Sequence, residues 1–203
     1  MRLGANDPAA IAAAAEQLRR GLPVALPTDT VYGVGVLPFD AAAIDRIYAI
    51  KGRPAEKGIP VLLGDVADVA YVAGILPPAA AALMAHFWPG PLTLVVPRSP
   101  DLPANLSPDD TVAVRVPDHA VARALIRAAG GAVAATSANV SGQPPALTAD
   151  EVLAALSGRV AAVLDDGPSP GGVASTVVDC TVDPPLIRRA GPLSAAQLGL
   201  EAG

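Results

Sequence analysis

The 203-residue chain is 52% hydrophobic and 16% charged, which excludes the weakly apolar, highly charged regime of disordered chains and is enough to build one packed core. A formal net charge of -5 argues against a general nucleic-acid binder, which needs a broad excess of Lys and Arg, so any anion site must be local. A single cysteine, Cys180, rules out an internal disulfide, and the two histidines, His86 and His119, lie too far apart for a helical metal pair, so no structural metal is expected.

Asp7 followed by Pro8 reads as an N-cap and first helical residue, opening a helix to Arg20 and interrupting any signal-peptide-like apolar stretch. Val24–Leu26 is the first short apolar run of strand type. The segment Pro27-Thr28-Asp29-Thr30-Val31-Tyr32-Gly33 follows it and gathers two hydroxyls, a carboxylate and a phenol at a strand end. Strand ends of α/β sheets are favoured ligand positions, but Thr and Asp also bond to the backbone in ordinary turns. Gly33-Val34-Gly35 lacks the third glycine of a dinucleotide fingerprint.

Asp40 is placed to cap a helix over Ala41–Ile50, whose Ile44, Ile47 and Tyr48 share one face. Where that helix ends come Lys51, Arg53 and Lys57, three of the 14 Lys and Arg in the chain. They form a phosphate clamp, or they complement the helix dipole with Pro54 as stop signal. No P-loop pattern occurs, so a nucleotide would be bound without one.

Ile59–Leu63 reads as a strand. Val69–Ala85 is uncharged and nearly of membrane-spanning length, but Pro77-Pro78 split it into two helical pieces, and no membrane association is expected. Leu92–Val96 and Val112–Val116 are further strands. In the second, a period of two sends Val112, Val114 and Val116 to the core and Arg115 to the opposite face beside Ala113. There the guanidinium either meets a carboxylate or phosphate in a cleft or faces solvent.

Asp118 is placed to open a helix over His119–Ala129, and Ala132–Ala135 is a strand followed by Thr136-Ser137-Ala138-Asn139 and Ser141-Gly142. Thr148 opens Ala149–Leu156, with Glu151 set to complete a capping box. Val160–Leu164 and Ser175–Asp179 are the last strands. The hydroxyls of Ser137 and Ser175 and the amide of Asn139 suit hydrogen bonding to phosphate or ribose, although each segment alone is also common turn chemistry. Alternating strands and helices indicate an α/β fold with some antiparallel pairing and no fixed strand order.

In this order, PTDTVYG at Pro27–Gly33, KGRP at Lys51–Pro54, WPGPLTLV at Trp88–Val95, VRVPDH at Val114–His119, TSANVSG at Thr136–Gly142, STVVD at Ser175–Asp179 and the closing Ile187–Gly191 resemble the YrdC-like family over nearly the whole chain. The resemblance implies a single domain over residues 1–203, an open twisted mixed sheet flanked by helices, and a large concave site. Some relatives carry a second C-terminal domain, which is not expected within these 203 residues.

It also implies synthesis of L-threonylcarbamoyladenylate from threonine, bicarbonate or carbon dioxide, and ATP with Mg²⁺. The product would pass to a downstream threonylcarbamoyl transferase acting on tRNA in the cytoplasm. Lys51, Arg53 and Lys57 would then meet the ATP phosphates, with Ser137, Asn139 and Ser175 holding phosphate or nucleoside. Thr28, Thr30, Tyr32 and Arg115 would shape the threonine end, and Lys51, Arg53 and Arg115 would carry the catalysis. Gly58 after Lys57 departs from the proline of many relatives. The other readings are a sibling carbamoyladenylate-forming domain and a non-catalytic double-stranded RNA-binding or ribosome-assembly factor, with direct RNA binding expected to be weak at most.

Overall fold

The computed structural model describes residues 1–5, 7–52, 54 and 56–200. In chain order the first half gives β1 (Arg2–Gly4), α1 (Pro8–Arg19), β2 (Val24–Leu26), β3 (Gly33–Val36), α2 (Ala41–Lys51), β4 (Val61–Leu63), α3 (Val69–Val72) and α4 (Pro78–Phe87). The second half gives β5 (Leu92–Pro97), β6 (Thr111–Arg115), α5 (Ala120–Ala128), β7 (Ala132–Ser137), α6 (Ala149–Leu156), β8 (Ala162–Asp165), β9 (Thr176–Asp179), β10 (Leu186–Arg189) and α7 (Ala195–Leu198). All ten strands form one mixed sheet in the order β1-β8-β2-β3-β7-β4-β6-β5-β9-β10.

The helix starts follow local chemistry. Asp7 accepts the Ala9 N–H at 2.8 Å with Pro8 next to it, and Asp40 accepts the Ala43 N–H at 3.0 Å. These bonds satisfy donors that a helix N-terminus otherwise leaves unpaired. Two expectations need correction. The cap of α5 is His119, whose ring nitrogen accepts from the Ala122 N–H, rather than Asp118. Glu151 accepts from the Leu147 N–H at 2.6 Å instead of closing a box on Thr148, although Thr148 does cap α6.

β1, β3 and β10 are additional to the strands expected from the sequence. β3 pairs with both β2 and β7 despite its two glycines. A side chain at Gly35 would lie 2.6 Å from Val133 of β7, so the bare backbone is what admits the close approach. Val69–Ala85 does divide into α3 and α4, and among the described residues no helix is long and apolar enough to cross a membrane.

Strand alternation divides the core between the sheet's two faces. Ala25, Val34, Val61, Leu63, Ala134 and Val163 point to one face, where they meet Ile44 and Ile47 of α2, Leu83 and Met84 of α4, and Val152 and Leu156 of α6. Their neighbours Val24, Leu26, Leu62, Val133, Ala135 and Leu164 point to the other, beneath Ala14 and Leu18 of α1 and Leu125 and Ile126 of α5. Each fully buried Leu or Ile contributes about 1.5–3 kcal/mol relative to an exposed one, so both faces are strongly held.

The second face is covered only in part. α1 packs on β1, β2 and β8, and α5 on β4 and β7. β5, β6 and β9 give their apolar residues Leu92, Leu94, Val112, Val114 and Val178 to the first face alone. Their alternate residues on the second face, Thr93, Ala113, Arg115 and Val177, line a cavity instead.

Candidate active site

This uncovered part of the sheet holds a cavity of about 260 Å³, which begins at Thr28, Thr30 and Gly33 and crosses Leu62, Thr93, Ala113, Arg115, Ser137, Ser175 and Arg189. A second groove of about 470 Å³ shares Ala113 with it and continues past Val95 and Thr111 to Asp179 and Arg188. Ligand sites commonly occupy about 300–1,000 Å³, so the two together offer room for a nucleotide beside a small amino acid.

Arg115 forms one wall. It is 5% exposed, as the alternation within β6 requires of a residue facing a cleft rather than open solvent. Its Nε donates to the Gly90 carbonyl at 2.9 Å, Nη1 to the Thr30 hydroxyl at 2.9 Å, and Nη2 to Asp29 at 2.5 Å. Burial lowers its pKa and the Asp29 charge opposes that change. These bonds use three of the five N–H donors of a guanidinium and leave one on each terminal nitrogen.

The turn after β2 has a directed hydrogen-bond arrangement. Thr28 donates its only hydroxyl proton to the Val31 carbonyl at 2.7 Å, so the 3.0 Å contact between Thr28 and Thr30 has Thr30 as donor. The Thr28 oxygen also accepts from the N–H groups of Thr30 and Val31. The turn that could have been mere backbone chemistry therefore also orients a hydroxyl that lines the cavity.

A second polar group along the cavity is Thr93, on the strand paired with β6, with Ser175 and Arg189. The two hydroxyls lie 2.7 Å apart, and Arg189 donates to the Ser175 carbonyl at 2.8 Å and hydroxyl at 3.1 Å. Only one of the two hydroxyl protons is needed between them, so one remains available as a donor. A side chain at Gly191 would fall 2.3 Å from the Thr176 nitrogen, which shows how tightly the segment after β10 packs on the residues carrying Ser175.

Of the residues expected at the site, Thr28, Thr30, Arg115, Ser137 and Ser175 line the cavity. Four others are placed elsewhere. Tyr32 is fully buried and donates to the Gly167 carbonyl at 2.7 Å, with burial pushing its pKa up to about 12. Lys51 is 2% exposed and donates to backbone oxygens of Ser137 and Asn139. Asn139 spends its amide on the carbonyls of Val140 and Gln143. Lys57 is exposed, and its carbonyl accepts from Tyr48. Arg53 lies outside the described residues.

Asp29, Thr93 and Arg189 were not singled out from the sequence as site residues. For Thr93 a signal existed: it is a hydroxyl inside Leu92–Val96, at the position whose alternation matches Arg115. Asp29 and Arg189 stood inside family motifs without a role. Among the described residues, no group of three or more His, Cys, Asp or Glu side chains is arranged to hold a metal ion.

A family model named Sua5_yciO_yrdC, described as telomere recombination, matches residues 16–191. The threonylcarbamoyl-AMP synthase of Bacillus subtilis is 43% identical over 198 residues, covering 97% of this chain and 57% of that protein. The crystal structure of Pyrococcus abyssi Sua5 complexed with L-threonine matches with a TM-score of 0.94 at 38% identity, covering 98% of this chain and 59% of that one. Escherichia coli YciO matches with a TM-score of 0.87 at 25% identity, covering 98% of both chains. The chain thus spans somewhat more than half the length of the Bacillus and Pyrococcus proteins.

Proposed function

The chain belongs to the Sua5/YciO/YrdC family, and on that premise we propose that it makes L-threonylcarbamoyl-AMP and pyrophosphate from L-threonine, bicarbonate or carbon dioxide, and ATP. One observation carries the reading: a buried arginine with spare donors lines the same uncovered strip as the hydroxyls of Thr93 and Ser175 and the guanidinium of Arg189. The Pyrococcus protein's complex with L-threonine and the synthase relatives support it.

Arg115 is suited to the threonine carboxylate, because its two remaining N–H groups belong to different terminal nitrogens of one planar fork. Asp29 and the Gly90 carbonyl hold that fork in place before any ligand arrives. The hydroxyls of Ser137, Ser175 and Thr93, with Arg189, suit phosphate and ribose oxygens. Arg53 and Lys57 are assigned to the outer phosphates, and Lys51 and Asn139 to the support of that end of the site.

The threonine amine takes up carbon dioxide to give an N-carboxylate, one of whose oxygens attacks the α-phosphorus while the bond to pyrophosphate breaks. No protein nucleophile is needed. The chain's contribution is to hold two anions together and screen their charge, which can account for a large part of such a rate enhancement. Magnesium is proposed to arrive with the triphosphate, as is usual for an ion held mainly by substrate phosphates and water. The product would then pass, in the cytoplasm, to a transferase acting on tRNA.

The test is pyrophosphate release from ATP with bicarbonate, comparing L-threonine with L-valine. Release with threonine and little with valine is expected, because a buried partner left without the hydroxyl is penalised by about 1–3 kcal/mol. Equal release with both would end the assignment.

A further inference from the structure

Lys51 closes α2, and cations at helix ends usually extend into solvent to complement the dipole. This one turns inward and is 2% exposed. Its ammonium donates to the Ser137 carbonyl, to the Asn139 carbonyl at 2.6 Å and to the Asn139 amide oxygen at 3.4 Å. An ammonium has three N–H donors, and these oxygens direct it towards the turn after β7. The Lys51 carbonyl in turn accepts the Ser141 N–H at 2.9 Å. Side chain and backbone of one residue therefore clasp the turn that follows β7.

That turn connects directly to the site. Ser137 lines the cavity while its carbonyl is held by the ammonium behind it. Asn139 is fixed from both ends, its oxygen by Lys51 and its nitrogen by the carbonyls of Val140 and Gln143. To contact a phosphate, Lys51 would have to release oxygens on which the shape of this turn depends.

Resting on the proposed synthase activity, we propose that Lys51 is a positioning residue: it fixes the 137–139 turn so that Ser137 faces the nucleotide, and acts on ATP through that turn rather than by contact.

The chain contains only two lysines, Lys51 and Lys57, so amine labelling of the unaltered protein gives a direct test. Reductive methylation with and without ATP, read by mass spectrometry, should leave Lys51 unmodified in both states while the exposed Lys57 reacts in the free protein. Modification of Lys51 in either state overturns the inference. A mutant cycle tests the route. Lys51→Met is expected to lower kcat/KM for ATP about tenfold or more, and far less in a Ser137→Ala background, because residues acting through one another are non-additive. L-threonine affinity should stay unchanged. Additive losses would mean that Lys51 acts independently of Ser137 and would overturn it. If Lys51→Met does not fold, the labelling result stands alone. If the unaltered protein makes no threonylcarbamoyl-AMP, the activity assignment fails, while labelling still reports where the ammonium lies.

Discussion

Arg115 and Asp29 have side chains only 6% and 13% exposed, so removing either charge leaves the other in a poorly solvated place. Arg115→Ala is therefore expected to destabilise the fold by up to about 3–5 kcal/mol, the scale for breaking a buried pair, besides abolishing threonine binding. Asp29→Ala should share the stability loss. Urea unfolding beside calorimetric titration with L-threonine checks both; an Arg115→Ala protein of unchanged stability would contradict the pairing. Tyr32 gives a pH dependence. Its folded pKa is raised from 10.0 to about 12, so the folded state holds the phenolic proton more tightly than the unfolded chain does. Its contribution is fully present below pH 10 and is lost as pH rises towards 12, a loss of about 2–3 kcal/mol at 1.36 kcal/mol per unit. The stability difference between the native protein and Tyr32→Phe should shrink by that amount between pH 9 and 12; a constant difference would contradict it. At this scale Arg115 was legible because the residues flanking it alternate cleanly. The burial of Lys51 was not, since its acceptors lie 86 and 88 residues further along the chain.

The segments around β9 and β10 show what an element contributes to the site. β9 pairs with β5 and β10, bringing Ser175 beside Thr93 and Arg189 over Ser175. Gly191 seals this arrangement by its contact with the backbone at Thr176. Gly191→Ala is expected to cost about 1–3 kcal/mol through overpacking and to weaken ATP binding with little change for L-threonine. Melting curves with separate ligand titrations would show it, and an unchanged melt would mean that the segment yields freely. The central strands β2, β5, β6 and β7 were readable because Val, Leu and Ala fill them on both faces or alternate against one buried face. β1 and β10 are short and largely exposed edge strands, and β3 carries two glycines, so each depends on its partners more than on its own residues. The cap of α5 was misassigned to Asp118 because aspartate is the commoner cap, whereas the backbone places His119 at that position.

Across the whole molecule, the site depends on strand order, which the sequence does not display. Thr30, Leu62, Thr93, Arg115, Ser137, Ser175 and Arg189 are dispersed along the chain and meet because β7, β4, β6, β5 and β9 are neighbours. The helices α1 and α5 then leave one strip uncovered, so the cavity follows from unequal covering of a single sheet face. The net charge of -5 fits this local use of a few cations better than a broad RNA-binding face. In the proposed function this strip joins threonine, a bicarbonate carbon and AMP. The most direct test of that function is incubation with ATP, magnesium, L-threonine and ¹³C-bicarbonate, followed by mass spectrometry of the nucleotide products. A threonine-dependent adenylate carrying the ¹³C label, formed together with pyrophosphate, is the expected result; ATP left intact, or AMP released without a labelled threonine adduct at any time point, would contradict it.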